Sequence, residues 1–296
     1  RGSSRGPVVG DRLKPDIAAP GTSILAEGFA DADGEDRHLG LGQASGTSMA
    51  APHVSGAAAL LRQVHPDWPP DWVKSALMST AKYTDVFVDG ARTVPAQPLD
   101  MGAGRLDLTR AADPGVVLSP PSLSFGRVPA GQRASIALTV TSVAGSDETY
   151  VLSSVDTADG FSVTVPVAGL SFDPGTLSLA PGASTTVTVT WDTSAPRHAY
   201  GHNQGYLVLD GPAHDAHLPA WIQVAWPDPG ATVLLLDNDG SSLSEPARRS
   251  CTGQEVPPTY PDYTGYYTRT LGALEVPYEV IDVDARFGTS EPLVPD

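Results

Sequence analysis

Cysteine is all but missing. Cys251 is the only one, so no disulfide can close within the chain and no cysteine-based zinc or iron-sulfur centre can form. Stability is left to packing. Lysine is also scarce, present only as Lys14, Lys74 and Lys82, and 18 Lys plus Arg face 34 Asp plus Glu for a formal charge of -16. A phosphate backbone or an anionic membrane surface needs a dense basic stripe, so nucleic acid and lipid headgroups are poor partners. The longest apolar runs, Gly56–Leu61 and Val233–Leu236, fall far short of the ~18 residues of a membrane span. The opening Arg1-Gly2-Ser3-Ser4-Arg5-Gly6-Pro7 has no signal-peptide core and no initial methionine, and the chain is expected to be a piece of something longer.

What is present argues for packed domains. The 296 residues are 41% apolar, which excludes disorder for most of the chain and suggests two or three domains at about 150 residues each. Residues 1–114 are rich in Gly, Ala and Pro and carry two helical patterns. Residues 115–227 read as about seven short alternating strands, with Ile136, Leu138 and Val140 on one face and Val187, Val189 and Trp191 on another. Further strands are predicted at Tyr150–Val155, Phe161–Val165, Gly205–Leu209 and Ala220–Trp226. An internal echo links Leu123-Ser124-Phe125, Pro129-Ala130-Gly131 and Leu138–Thr141 with Leu177-Ser178-Leu179, Pro181-Gly182 and Val187–Thr190. It predicts hairpins of a Greek-key sandwich, of fibronectin type III-like kind because no cysteine pair exists. Residues 228–296 read as the start of an α/β module: an apolar strand ending in Asp237, a helix from Thr264 to Leu274, and a strand from Tyr278 to Val283.

The chemistry is concentrated in Ser45-Gly46-Thr47-Ser48-Met49-Ala50-Ala51-Pro52-His53-Val54-Ser55-Gly56-Ala57-Ala58-Ala59-Leu60-Leu61. A glycine bend runs into a helix of small residues, a composition that predicts close burial. Ser48 falls at the helix N-terminus, where free backbone N–H groups and about half a positive charge of macrodipole can stabilise an oxyanion. Serine is also a preferred N-cap, and position alone favours that plain role.

The whole segment resembles the nucleophile motif of subtilisin-like serine peptidases almost letter for letter. The resemblance continues upstream in Ser4-Arg5-Gly6-Pro7 and Leu13-Lys14-Pro15-Asp16-Ile17-Ala18-Ala19-Pro20-Gly21. It continues downstream in His65-Pro66-Asp67-Trp68, Val73–Ala81 and Asp100–Asp107, and so covers residues 1 to about 114. It implies that Ser48 is the nucleophile of a secreted endopeptidase acting on protein or peptide substrates, with an extracellular and bacterial setting. The family's order of Asp, His, Ser implies that the base, its orienting carboxylate and an oxyanion Asn precede Arg1, so the piece alone is expected to be inactive. Two departures stand out: Trp68-Pro69-Pro70-Asp71 replaces the usual Ser or Thr cap, and Ser3 replaces the usual aromatic.

No local histidine substitutes for that base. His53 lies five residues beyond Ser48, about 500° around a helix, and reads as a packing or hydrogen-bonding residue. His38 and His65 are assigned no catalytic role. Met49 invites oxidation next to the nucleophile. Asp31-Ala32-Asp33-Gly34 begins like a calcium loop, but Gly42 stands where an EF-hand needs glutamate, so no cofactor or metal is expected. Asp237-Asn238-Asp239-Gly240 ends a strand where α/β sheets place ligands and could equally cap a helix. The rival reading is a non-catalytic scaffold with a decayed triad, and the sandwich is most simply a spacer packed on the catalytic part.

Overall fold

The computed structural model describes residues 3–29, 39–162, 164–225, 233–237, 248–249, 255–256, 264–274 and 276–282. The acidic stretch around Asp31, His38, Cys251 and Asn238-Asp239-Gly240 lie outside them. Arg1–Ala225 forms one compact unit and Trp226–Asp296 a second.

The first unit opens with an antiparallel ribbon of β1 (Ile24–Phe29) and β2 (Leu39–Ala44). β2 leads through Ser45-Gly46 into α1 (Thr47–Val64), followed by α2 (Pro70–Ser79) and the short α3 (Pro98–Met101) and α4 (Leu108–Ala111). Val54, Ala57, Ala58 and Leu61 recur at helical spacing on one side of α1 and pack against Val73, Ala76 and Leu77 of α2. The expected close burial of α1 is not what the described residues give: only Ala57 and Leu61 are buried, and Leu60 and Val64 are more than half exposed. The helices and loops described here cover one side of α1 and leave the other open. α2 begins without a side-chain cap, on Pro70 at its first position with Asp71 in the first turn, where proline costs nothing because that N–H has no helical partner.

Nine strands follow: β3 (Val116–Ser119), β4 (Leu123–Pro129), β5 (Arg133–Ser142), β6 (Glu148–Val155), β7 (Leu170–Asp173), β8 (Thr176–Leu179), β9 (Ser184–Asp192), β10 (Gly201–Asp210) and β11 (Asp215–Ala225). They form a four-stranded sheet, β3-β5-β9-β7, and a five-stranded sheet, β4-β11-β10-β6-β8. Ile136 stands opposite Val189 and Leu138 opposite Val187, and both sheets bury their alternating apolar residues in one core around Trp191, Tyr150 and Leu207.

Two expectations change. Phe161–Val165 is no strand among its described residues; a single bridge joins Val165 to Asp156, and Arg197 holds the loop by pairing with Asp156 and Asp159. The echoed segments are not hairpins either. β4 and β8 lie in the five-stranded sheet while β5 and β9 lie in the other, so each Pro/Gly turn carries the chain across the core. The echo marks two equivalent arches, because period-2 patterning specifies which face is buried and leaves the pairing partner open.

In the second unit β12 (Val233–Asp237) pairs in parallel with β15 (Tyr278–Asp282), with α5 (Thr264–Ala273) between them in sequence. The two-residue strands β13 (Arg248–Arg249) and β14 (Glu255–Val256) pair antiparallel.

Candidate active site

The bend before α1 is held from two sides. Gly46 N donates to Gly21 O at 2.7 Å, and Ser23 N donates to Ser45 Oγ at 2.8 Å. Gly46 has φ 155° and ψ 170°, a backbone region open essentially to glycine alone, so the chain can turn sharply from β2 into the helix. Gly46 is also the N-cap, and α1 has no side-chain cap. Ser48 therefore stands at the second helical position and is exposed, which removes the capping role that position alone had favoured.

The first turn of α1 is electrostatically open. Met49 N and Ala50 N turn back to Gly46 O at 3.1 and 3.3 Å, whereas the N–H groups of Thr47 and Ser48 precede the first position that can bond within the helix. Pro52 sits inside α1 and has no N–H, so the Ser48 carbonyl receives no bond from the residue four positions on. His53 turns away from Ser48, its Nδ1 bonding to Met49 O at 2.8 Å. His65 is engaged elsewhere, with Nε2 on Ala112 O at 2.7 Å and its ring stacked on Trp68 at 3.8 Å. Among the described residues no imidazole bonds to Ser48.

The surrounding segments are fastened by charge. Asp16 receives Lys14 Nζ at 2.6 Å and Lys74 Nζ at 3.1 Å, tying the Pro15-Asp16 turn to α2. Burial raises the Asp16 carboxyl, but the two ammonium groups outweigh it and hold the group below its ordinary value. A groove of about 530 Å³ lies beside this turn, with Val54 and Ala58 of α1 facing Val73 and Leu77 of α2. Among the described residues no group of three or more His, Cys, Asp or Glu could hold a metal ion, and no helix is long and apolar enough to cross a membrane.

Sequence patterns gave no sign of how firmly this region is joined to the sandwich. Tyr206 Oη donates to Gly102 O at 3.1 Å, His217 Nε2 to Ala103 O at 2.6 Å, Leu99 N to Gln204 Oε1 at 2.8 Å, and Leu118 N to Ser75 Oγ at 2.6 Å. Trp221 packs on Leu13 and Leu99. Gln204, Tyr206, His217 and Trp221 lie on adjacent strands β10 and β11, and their polar atoms find partners only through the fold.

The sequence profile of the subtilase family matches residues 1–111, and over that stretch the chain is similar to subtilases. Subtilisin-like protease SBT1.3 of Arabidopsis thaliana is 45% identical over 126 residues, covering 39% of this chain and 16% of that protein. Subtilisin-like protease SBT3.7 of the same plant is 46% identical over 122 residues, covering 39% of this chain and 15% of that protein. The chain thus spans 15% to 16% of the length of these curated relatives. Both are plant proteins, and the comparisons lend no support to the bacterial source expected above. Among solved structures, the ASH / PapD-like domain of human CEP192 (PapD-like domain 7) aligns with TM-score 0.31 and 15% identity over 38% of this chain and 87% of that one.

Proposed function

We propose that the chain is part of an extracellular serine endopeptidase in which Ser48 is the nucleophile. What supports this most is the intact Gly46-Thr47-Ser48-Met49 sequence on an exposed, uncapped helix start within the subtilase match. In the reaction Ser48 Oγ bonds to the scissile carbonyl carbon while a base takes the hydroxyl proton. The tetrahedral oxyanion collapses, the leaving amine takes that proton, and water then releases the acyl group. The Ser48 N–H is a donor for the oxyanion. On this reading the base is not among the described residues, which supply the Ser48 hydroxyl and the N–H donor and no imidazole bonded to that hydroxyl. The substrates are proteins or peptides. The sandwich serves as a support for the catalytic part, and its fibronectin type III-like character rests on the alternating strands and the lack of a cysteine pair.

The test is fluorophosphonate labelling of the full-length protein. The expected result is a single adduct on Ser48, lost in Ser48→Ala together with about 10⁶-fold in kcat, the size of the loss when the nucleophile of subtilisin is removed. Residues 1–296 alone are expected to hydrolyse nothing. A full-length protein that neither labels nor cleaves any peptide would leave the decayed scaffold as the reading.

A further inference from the structure

The segment Asp113-Pro114-Gly115 connects α4 to the first sandwich strand. Beside it, in the turn between β10 and β11, His214 stands between two carboxylates. Its Nδ1 lies 2.6 Å from Glu148 Oε1 and its Nε2 lies 3.2 Å from Asp113 Oδ2. The two acids differ sharply: the Glu148 side chain is 3% exposed and that of Asp113 is 77% exposed. Glu148 Oε2 also accepts the Tyr150 hydroxyl at 2.6 Å. The ring rests on the chain at Gly115, where a β-carbon would come within 2.4 Å of His214 Cβ.

We propose that His214 is a protonation-dependent latch: as imidazolium it ties Asp113 to Glu148 and so fastens the connection between the catalytic part and the sandwich, and on losing a proton it releases Asp113.

The reason is an inventory of protons. Both ring nitrogens donate only in the cation; the neutral ring has one N–H. Glu148 is buried, and stripping a donor from a buried carboxylate is far costlier than freeing an exposed one, so the remaining proton stays on Nδ1. Nε2 then turns a lone pair toward the Asp113 carboxylate, and the contact becomes repulsive. The charged surroundings favour the closed form. Asp210 and Asp215 flank the turn, Glu148 and Tyr150 face it from β6, and Asp113 faces it from the connection. Arg110 of α4 is occupied with Asp215, through Nη1 to Oδ2 at 3.4 Å and Nη2 to the carbonyl at 2.9 Å.

Burial works against the imidazolium, but the bonds to Asp113 and Glu148 and their charges outweigh it and raise the His214 pKa above its ordinary value. A raised folded value means that the stabilisation is complete below the unfolded pKa of about 6.5 and is lost as pH rises through the folded one. Release is local. Val143 N and Ala144 N both bond Gly115 O, at 2.9 and 3.1 Å, and Asp113 N bonds Arg110 O at 3.0 Å, so the freedom gained is confined to Asp113 and Pro114.

The experiment is a histidine-resolved NMR titration of the 296-residue chain, wild type and Asp113→Asn, with amide shifts followed in parallel. The expected results are a His214 pKa above the ordinary histidine value, an Nδ1–H tautomer once neutral, and amide shifts at Asp113 and Gly115 sharing the His214 midpoint. Asp113→Asn, at an exposed position, is expected to fold normally and to lower the His214 pKa. A His214 pKa at or below the ordinary value, an Nε2–H tautomer, an unchanged pKa in Asp113→Asn, or amides that ignore the titration would each overturn the proposal. None of these outcomes depends on whether Ser48 is catalytic.

Discussion

Tyr206 on β10 reaches the carbonyl of Gly102, 104 residues earlier, with a 3.1 Å hydrogen bond in a fully buried setting. Gly102 ends α3 at φ 64°, and a β-carbon there would lie 2.3 Å from the carbonyl oxygens of Pro15 and Asp16. A sandwich side chain thus reads the backbone of the N-terminal region at a turn that only glycine fits. Tyr83 packs at 4.6 Å from the Tyr206 ring and 4.5 Å from the His217 ring, closing the contact.

Removing that hydroxyl leaves a buried carbonyl without its donor. Tyr206→Phe is expected to lower the unfolding free energy of the 296-residue chain by about 1–3 kcal/mol, read as a shift in urea midpoint with unchanged slope. Gly102→Ala is expected to cost more, since it meets both the positive φ and the two carbonyls, and the measurement is the yield of folded protein by size exclusion and its thermal midpoint.

His217 sets an acid limit. It is fully buried between Tyr83, Tyr206 and the Ala103 carbonyl, and desolvation, only partly offset by its bond to Ala103, pushes its pKa down to about 4. A depressed folded value means that the neutral ring stabilises the fold fully above the unfolded pKa of about 6.5, and that this is lost as pH falls toward 4. The drop is on the order of 3 kcal/mol for this group. His217→Gln keeps a donor for Ala103 and does not titrate, so it is expected to flatten the loss between about pH 6.5 and 4. Urea midpoints of both chains across that window provide the check.

The Ser23–Ser45 bond predicts a positional effect on catalysis. In the full-length protein Ser45→Ala removes the acceptor of Ser23 N and is expected to lower kcat by about fivefold with little change in KM, at roughly 1 kcal/mol for one such bond. Ser45→Thr keeps the hydroxyl and is expected to restore most of it. Active-site titration before the assay separates lost turnover from lost protein.

Met49 follows the proposed nucleophile Ser48 and is half-buried. Peroxide treatment of the full-length enzyme is expected to convert it to the sulfoxide and slow turnover, because a larger polar group then crowds the attacked carbonyl. Full activity in a preparation whose Met49 is oxidised by mass spectrometry would reject the idea.

Much of this was legible in the chain itself, and the limits follow from what local patterns encode. Ile136, Leu138 and Val140 announced a half-buried strand, and Val233–Leu236 with Tyr278–Ile281 announced a parallel pair, because side-chain period and apolar runs are properties of neighbours. The same period could not say that β4 and β5 belong to different sheets. Nor could it exclude Phe161–Val165, where Arg197 and its two aspartates decide the path.

By itself the sequence determined the glycine bend, the helix that carries Ser48 and the subtilase likeness of residues 1–111, since those depend on backbone conformations and spacings written within a few positions. Only the tertiary structure decided that Tyr206 and His217 pair with Gly102 and Ala103, and that Glu148 is buried beneath His214. Those outcomes rest on desolvation and on hydrogen-bond partners separated by tens to a hundred residues, and no local pattern records which distant atom a buried polar group will meet.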